Sequence, residues 1–344
     1  MKVLVRATNW VGDAVLSLPA LRAIRGARPG VELTVLARPS VAELYTRENL
    51  ADHVMTCQPN GLRGRLRLAG EIAERRFDCA ILLPNSFDAA LVARLARIPR
   101  RIGYARDARG WLLTDAVPVP RPGEIPPHQR FYYLELLRRA GFIADYPRSE
   151  QIRLAADADA GREQFRVLGL RAEAVIGVSP GAAYGSAKRW LPDRFAAAAA
   201  ALAGEWDAEV ALFGSAAERG ICEKIAARIG RRAFNLAGRT SLGAFIDLAA
   251  ACAAFLTNDS GAMHIASAVG VPTVAVFGPT DESATGPCGP RCEIVRTPVE
   301  CSPCLLRECP IDHRCMQRVE TAAVEQAARR LIALVPHGHP VEDH

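Results

Sequence analysis

The chain has 344 residues, half of them apolar and 23% charged, which suits two folded domains and excludes a disordered polypeptide. No apolar run reaches the ~18 residues needed to span a bilayer, and Arg6 and Asp13 interrupt any apolar leader, so a cytoplasmic protein is expected. The net charge of +6 is unevenly spread: residues 1–150 carry 23 Lys and Arg against 15 Asp and Glu, and the rest carries 20 against 22. These basic residues are mostly Arg, which suits phosphate and carboxylate groups, so an anionic partner is expected at the first half.

In chain order, Lys2–Arg6 reads as a strand, Thr8–Gly12 as a loop, Asp13–Arg25 as a helix and Val31–Ala37 as a second strand. Cys79–Leu83 is a further strand ending in Pro84-Asn85-Ser86, with a helix following through Ala96. Five prolines between residues 118 and 127 mark a surface connection. The second half repeats the pattern. Strands are read at Ala174–Val178, Glu209–Phe213, Ala254–Thr257 and Thr273–Phe277. Helices are read at Asp193–Ala203, near Ala217–Ile229, at Leu242–Ala251 and after Asp259. A last helix, Val319–Leu334, has no strand after it, which leaves open a return onto the first domain. Such alternation implies parallel sheets covered on both faces. The fold class expected is α/β, two Rossmann-like domains over residues 1–165 and 166–344 facing across a cleft.

The strand ends repeatedly deliver Gly, Ser, Pro or Asp, where doubly wound sheets bind ligands. In Leu256-Thr257-Asn258-Asp259-Ser260-Gly261-Ala262-Met263-His264 a buried strand ends and a helix begins at once. The free N–H groups and dipole of that helix start suit an anion, Gly261 leaves room for a phosphate, and His264 lies one turn in. The same residues also suit an Asp/Ser cap, a turn glycine and a core histidine. The loop Pro180-Gly181 to Lys188-Arg189-Trp190 sets two cations among small residues, as a diphosphate requires; a plain basic loop with a core Trp190 is the other reading. Gly214-Ser215-Ala216-Ala217-Glu218 offers a carboxylate for ribose hydroxyls, or an ordinary first-turn glutamate. Asp13, at the carboxyl end of the first strand, is a candidate general base or a helix cap. No G-x-G-x-x-G follows that strand, so a dinucleotide has no support there.

Ten cysteines in a cytosolic chain argue against a disulfide framework, yet six of them crowd into residues 288–315. Cys301, Cys304, Cys309 and Cys315 follow the spacing C-x2-C-x4-C-x5-C. This suits a structural zinc or iron–sulfur site as well as a group of reduced thiols. No catalytic role is read into them.

Six ordered blocks carry a resemblance. They are Trp10-Val11-Gly12-Asp13, Leu83-Pro84-Asn85-Ser86-Phe87, Pro180-Gly181 through Ala187-Lys188-Arg189-Trp190, Phe213-Gly214-Ser215, Asn235-Leu236-Ala237-Gly238 and Thr257 through His264. Together, over roughly residues 1–335, they resemble the ADP-heptose:lipopolysaccharide heptosyltransferases of glycosyltransferase family 9, nearest its type II branch. The resemblance implies the GT-B fold and inverting, metal-independent transfer of heptose from ADP-heptose to the first heptose of a Kdo2–lipid A inner core, with no cofactor. It implies Asp13 as the general base and Lys188 as the diphosphate cation. Ser260, Gly261 and His264 would hold the phosphates, Glu218 the ribose and Thr240 the adenine, with Asp259 and Gly181 also at the donor site. An anionic lipid acceptor, peripheral contact with the inner face of the inner membrane and no nucleic-acid partner follow. The cysteine segment is present in some family members and absent from others. Three other readings stand beside this one: a type I or other family 9 transferase with a different acceptor, a sugar-nucleotide epimerase, and a metal- or redox-sensing protein built on the cysteines.

Overall fold

Strand β1 (Lys2–Arg6) is an apolar run whose Val3, Leu4 and Val5 are almost wholly buried, as the centre of a sheet covered on both faces requires. Each such side chain contributes about 1.5–3 kcal/mol on burial. The computed structural model describes residues 1–148, 151–171 and 174–333, which divide into two units, Met1–Ile152 and Arg153–His344.

In the first unit β1 is followed by α1 (Val11–Ala27), β2 (Glu32–Ala37), α2 (Pro39–Arg47), β3 (His53–Thr56), α3 (Gly61–Glu74), β4 (Cys79–Leu82), α4 (Phe87–Leu95), β5 (Arg100–Tyr104), β6 (Asp115–Val117) and α5 (Gln129–Arg139). The six strands run parallel in the order β3-β2-β1-β4-β5-β6. Leu4 pairs with Thr34 on one side and Ala80 on the other, so the chain reverses its winding between β1 and β4. Helix α5 packs on α1 and buries Phe131, Tyr133, Leu134, Leu136 and Leu137.

The second unit holds α6 (Ala158–Val167), β7 (Val175–Ser179), α7 (Pro192–Glu205), β8 (Glu209–Leu212), α8 (Arg219–Ile229), β9 (Ala233–Asn235), α9 (Leu242–Ala250), β10 (Ala254–Asn258), α10 (Gly261–Ala268), β11 (Thr273–Val276), α11 (Glu282–Thr285), β12 (Cys292–Val295), α12 (Arg314–Gln317) and α13 (Thr321–Ala333). Its parallel sheet has the order β12-β11-β10-β7-β8-β9, the same winding, with the reversal between β7 and β10.

Two expectations change in detail. The division falls at Ile152 and not at residue 165, because α6 packs on α9. The Asp157 N–H donates to Asp247 Oδ1 at 2.7 Å, and a Cβ on Gly161 would lie 2.1 Å from the Asp247 carbonyl oxygen. The last helix packs inside its own unit, against α7, β11 and β12, with Val324, Ala327 and Ala328 in the core beside Phe195 and Leu202. Leu334, read from the sequence as its final residue, lies outside the described residues. The short edge strands β3, β6, β9 and β12 carry no strong apolar run, which is why the sequence pattern passed over them.

Candidate active site

Where a doubly wound sheet reverses, the loops after the two central strands diverge and leave a crevice at their carboxyl ends. In the second unit those loops follow β7 and β10. Asn258, wholly buried at the end of β10, stitches them together. Its Nδ2 donates to the Pro180 carbonyl at 2.8 Å, and its Oδ1 accepts from the Trp190 N–H at 2.9 Å. Trp190 is itself fully buried, edge-on to Phe195 with centroids 4.9 Å apart, so it serves the core while anchoring the loop.

That anchoring fixes Lys188, which sits on a short 3-10 turn (Ser186–Lys188). Its Nζ donates to Asp259 Oδ2 at 2.6 Å, and Thr280 Oγ1 donates to the same oxygen at 2.7 Å. The side chains are only 12% and 4% exposed, so water screens the pair weakly. Asp259 thus faces a cation and a hydroxyl from two neighbouring loops. Its own negative charge makes it a holder of Lys188 and not a direct ligand of an anion. Thr280, after β11, was not picked out by sequence reasoning, because a lone threonine after Gly-Pro has no spacing signal.

Helix α10 begins immediately beyond this pair. Ser260 is its N-cap residue in extended conformation and makes no side-chain cap; its hydroxyl lies 3.2 Å from Thr257 Oγ1. The N–H groups of the first turn, from Gly261 onward, are those that a helix leaves without intrahelical partners. His264 is the fourth residue of α10 and nearly buried. A concentrated positive potential therefore faces the ammonium-bearing loop.

Glu218 lies across the loop after β8. It closes a capping box on Ser215, accepting from its N–H and its hydroxyl, each at 2.8 Å. Gly181 adjoins it so closely that a Cβ there would stand 2.0 Å from Glu218 Oε1. The Asn235–Thr240 loop leans on the same place: the Gly238 N–H donates to the Gly214 carbonyl at 2.8 Å. Gly238 has φ +71°, with a Cβ position 2.8 Å from Ala216 Cα, so only glycine suits it. Gly181, Glu218 and the loop bearing Thr240 are thereby brought together at the carboxyl ends of β7, β8 and β9.

In the first unit Asp13 lies at the corresponding reversal between β1 and β4. Helix α1 starts at Val11 with Trp10 as N-cap residue, so Asp13 is the third helical residue and not the cap. A carboxylate in the first turn is favoured by the helix dipole. The Tyr133 phenol of α5 donates to Asp13 Oδ1 at 3.3 Å. Burial, and secondarily the Asp13 charge, raises the Tyr133 pKa well above its ordinary value, so the phenol stays a donor. Tyr133 was missed because a 120-residue separation hides the pairing. The neighbouring 84–86 loop is held by the fully buried Arg109, which donates to the carbonyls of Pro84, Ser86 and Tyr104.

The cysteine segment lies against the Lys188 loop. The N–H groups of Cys304 and Leu305 donate to the Pro279 carbonyl at 3.1 and 2.8 Å, and Ser302 Oγ donates to Gly278 O. The Tyr184 hydroxyl donates to Leu305 O at 2.8 Å, the Ala187 N–H donates to Arg307 O at 3.0 Å, and His313 Nε2 lies 2.7 Å from Ala187 O. All ten cysteines are free thiols. Burial raises the Cys315 thiol pKa, and the nearby thiols of Cys301, Cys304 and Cys309 raise it further, so the four lie in one neighbourhood. Among the described residues, no group of three or more His, Cys, Asp or Glu side chains is arranged to hold a metal ion.

The family model for glycosyltransferase family 9 (heptosyltransferase) matches residues 65–314. Lipopolysaccharide heptosyltransferase 2 of Escherichia coli strain K12 is 33% identical over 312 residues, covering 86% of this chain and 88% of that protein. The Salmonella typhimurium protein of the same name is 32% identical over 317 residues at the same coverage. Among solved structures, E. coli ADP-heptose lps heptosyltransferase II superposes with a TM-score of 0.84 at 30% identity, covering 97% of this chain and 99% of that one. The fold is therefore that of the GT-B heptosyltransferases, and the chain belongs to glycosyltransferase family 9.

Proposed function

We propose that this glycosyltransferase moves L-glycero-D-manno-heptose from ADP-heptose onto the first heptose of a Kdo2–lipid A inner core, with inversion at the anomeric carbon. The carrying observation is the Lys188–Asp259–Thr280 group set beside the open N-terminus of α10, a paired cation and dipole where a diphosphate must be bound and released. Gly261 and Ser260 supply N–H and hydroxyl donors to the phosphates, and His264 supports that turn. Glu218, with Gly181 giving it room, takes the ribose hydroxyls, and Thr240 adjoins the adenine.

The step is a single displacement. Asp13, oriented by Tyr133, accepts the proton of the acceptor hydroxyl. That oxygen bonds to the anomeric carbon, and the bond to the β-phosphate oxygen breaks with its electron pair leaving on ADP. Lys188 and the α10 dipole stabilise that developing charge, which removes the need for a divalent metal. EDTA treatment is therefore expected to leave kcat/KM unchanged; loss of activity restored by Mg2+ would contradict this.

Product analysis with ADP-heptose and two acceptors tests the main reading. Kdo2–lipid A already bearing one heptose should be extended. Turnover of the heptose-free acceptor would instead mean the type I activity, and donor isomerised without acceptor would mean an epimerase.

No described helix is long and apolar enough to cross a membrane. A cytoplasmic enzyme in peripheral contact with the inner membrane is supported by large apolar side chains exposed on the first unit. Leu62, Leu66, Phe87 and Trp111 are exposed there, the last two with ring centroids 6.2 Å apart, and Arg63 and Arg67 flank the leucines on α3. Such a mixture suits an anionic lipid surface. Co-sedimentation with anionic vesicles should drop in Leu62→Asp/Leu66→Asp; unchanged partition would remove this surface from the account.

A further inference from the structure

We propose that Arg307 is a second cation of the diphosphate site, presented to the donor by the cysteine-bearing segment. The inference rests on the reading of the Lys188 loop as the donor site.

The Lys188 Nζ and the Arg307 Cζ lie 5.0 and 5.2 Å from the centroid of one and the same Tyr184 ring. The two positive groups therefore share a single aromatic support. Their electrostatic settings differ. Lys188 is neutralised by Asp259 at 2.6 Å, whereas Arg307 has no carboxylate partner among the described residues. The Tyr184 ring thus carries two cations with one carboxylate counter-charge between them, an excess of positive charge that an incoming dianion relieves.

The position of Arg307 is built into the backbone. Its carbonyl accepts the Ala187 N–H at 3.0 Å, one residue from Lys188. Gly185 permits that approach, since a Cβ there would lie 2.1 Å from Arg307 O. Two residues earlier, Leu305 is clamped between Pro279 and Tyr184: its N–H donates to the Pro279 carbonyl and its own carbonyl accepts the Tyr184 hydroxyl, each at 2.8 Å. Arg307 is thus fixed through its own carbonyl to the Lys188 loop and through Leu305 to the loop that follows β11, while the residue remains exposed. A guanidinium held over a tyrosine ring by its cation–π contact keeps N–H groups free for two phosphate oxygens at once. The cysteine segment acquires a function: it carries a phosphate ligand to a site built by other loops.

Calorimetric titration with ADP and with AMP, together with kinetics over a range of ADP-heptose, tests this. In Arg307→Ala the Kd for ADP and the KM for ADP-heptose should each rise about 10-fold, as loss of a charge-assisted hydrogen bond implies. The Kd for AMP, which lacks the β-phosphate, should change less, and Arg307→Lys should recover part of the loss. The unfolding midpoint should stay at the wild-type value, the side chain being exposed. Wild-type ADP affinity and KM in Arg307→Ala would overturn the proposal. Lys188→Met separates the two readings. If it weakens ADP binding while Arg307→Ala does not, only the Arg307 role fails; if neither weakens it, the donor site itself has been misassigned.

Discussion

Lys188 and Asp259, 71 positions apart in the chain, form an ion pair of 2.6 Å that bridges the two loops flanking the sheet reversal of the second unit. Removing one partner of a buried pair leaves an uncompensated charge, which costs about 3–5 kcal/mol. Lys188→Met should therefore lower the unfolding midpoint as well as kcat/KM, the latter by about 10²–10³-fold, comparable to losing one transition-state donor. Adding Asp259→Asn to that variant should restore much of the stability without restoring turnover. Thermal melts and kinetics on the single and double variants check this. Recovery of both together would mean that Lys188 acts only as a structural counter-ion.

Asp13→Asn should reduce kcat by about 10²–10⁴-fold, the range for a lost general base, while calorimetric ADP affinity and the unfolding midpoint stay close to wild type. Because Asp13 is the third residue of α1 and Trp10 occupies the cap, the substitution removes no cap side chain. Tyr133→Phe should lower kcat only several-fold, since the carboxylate remains. An Asp13→Asn enzyme with unimpaired kcat would remove it from the chemistry.

Gly181→Ala separates packing from binding. Its Cβ would meet the Glu218 carboxylate at 2.0 Å, and that group is the far end of a flexible side chain, so it can swing away at the cost of its capping bonds to Ser215, about 1 kcal/mol. The swing takes it off the nucleotide. Gly181→Ala is expected to raise the KM for ADP-heptose with little change in melting temperature. Its effect should largely vanish when Glu218 is already Ala. Additive effects in the double variant would break the proposed link.

Glu135 supplies a pH-dependent part of the first unit's stability. It is 1% exposed and accepts from Arg138 at 2.8 Å, Arg139 at 2.6 Å and the Tyr146 hydroxyl at 2.9 Å. The Arg138 hydrogen bond is the largest cause that holds its carboxyl down at about 2, from 4.5. A depressed carboxyl stabilises fully above its unfolded value and loses that contribution as pH falls through its folded value. The contribution is about 3 kcal/mol at neutral pH. Urea unfolding should show Glu135→Gln well below wild type at pH 7 and approaching it as pH falls below 4.5 toward 2. A gap that does not narrow would refute the linkage.

Much of this protein was legible before its fold was known. The central strands β1, β4, β7, β8, β10 and β11 announced themselves because both of their faces are buried and their sequences are continuous apolar runs. The edge strands did not, being half-exposed and stabilised by neighbours more than by their own composition. Lys188, Glu218, Ser260 and Gly261 stood out as candidates because they lie in loops that follow buried strands, a local regularity.

Their partners were not found, because pairing across long stretches of chain leaves no periodic trace. Tyr133 reaches Asp13, Thr280 reaches Asp259, and Arg307 reaches the Tyr184 ring only through the tertiary fold. The sequence by itself determined the strand–helix alternation, the glycine-rich strand ends and the positive excess of the first half, since each depends on neighbouring residues or on composition. Only the tertiary structure decided which charges meet. A doubly wound sheet brings residues together by strand order, and strand order is set by crossover connections that no short stretch of sequence encodes.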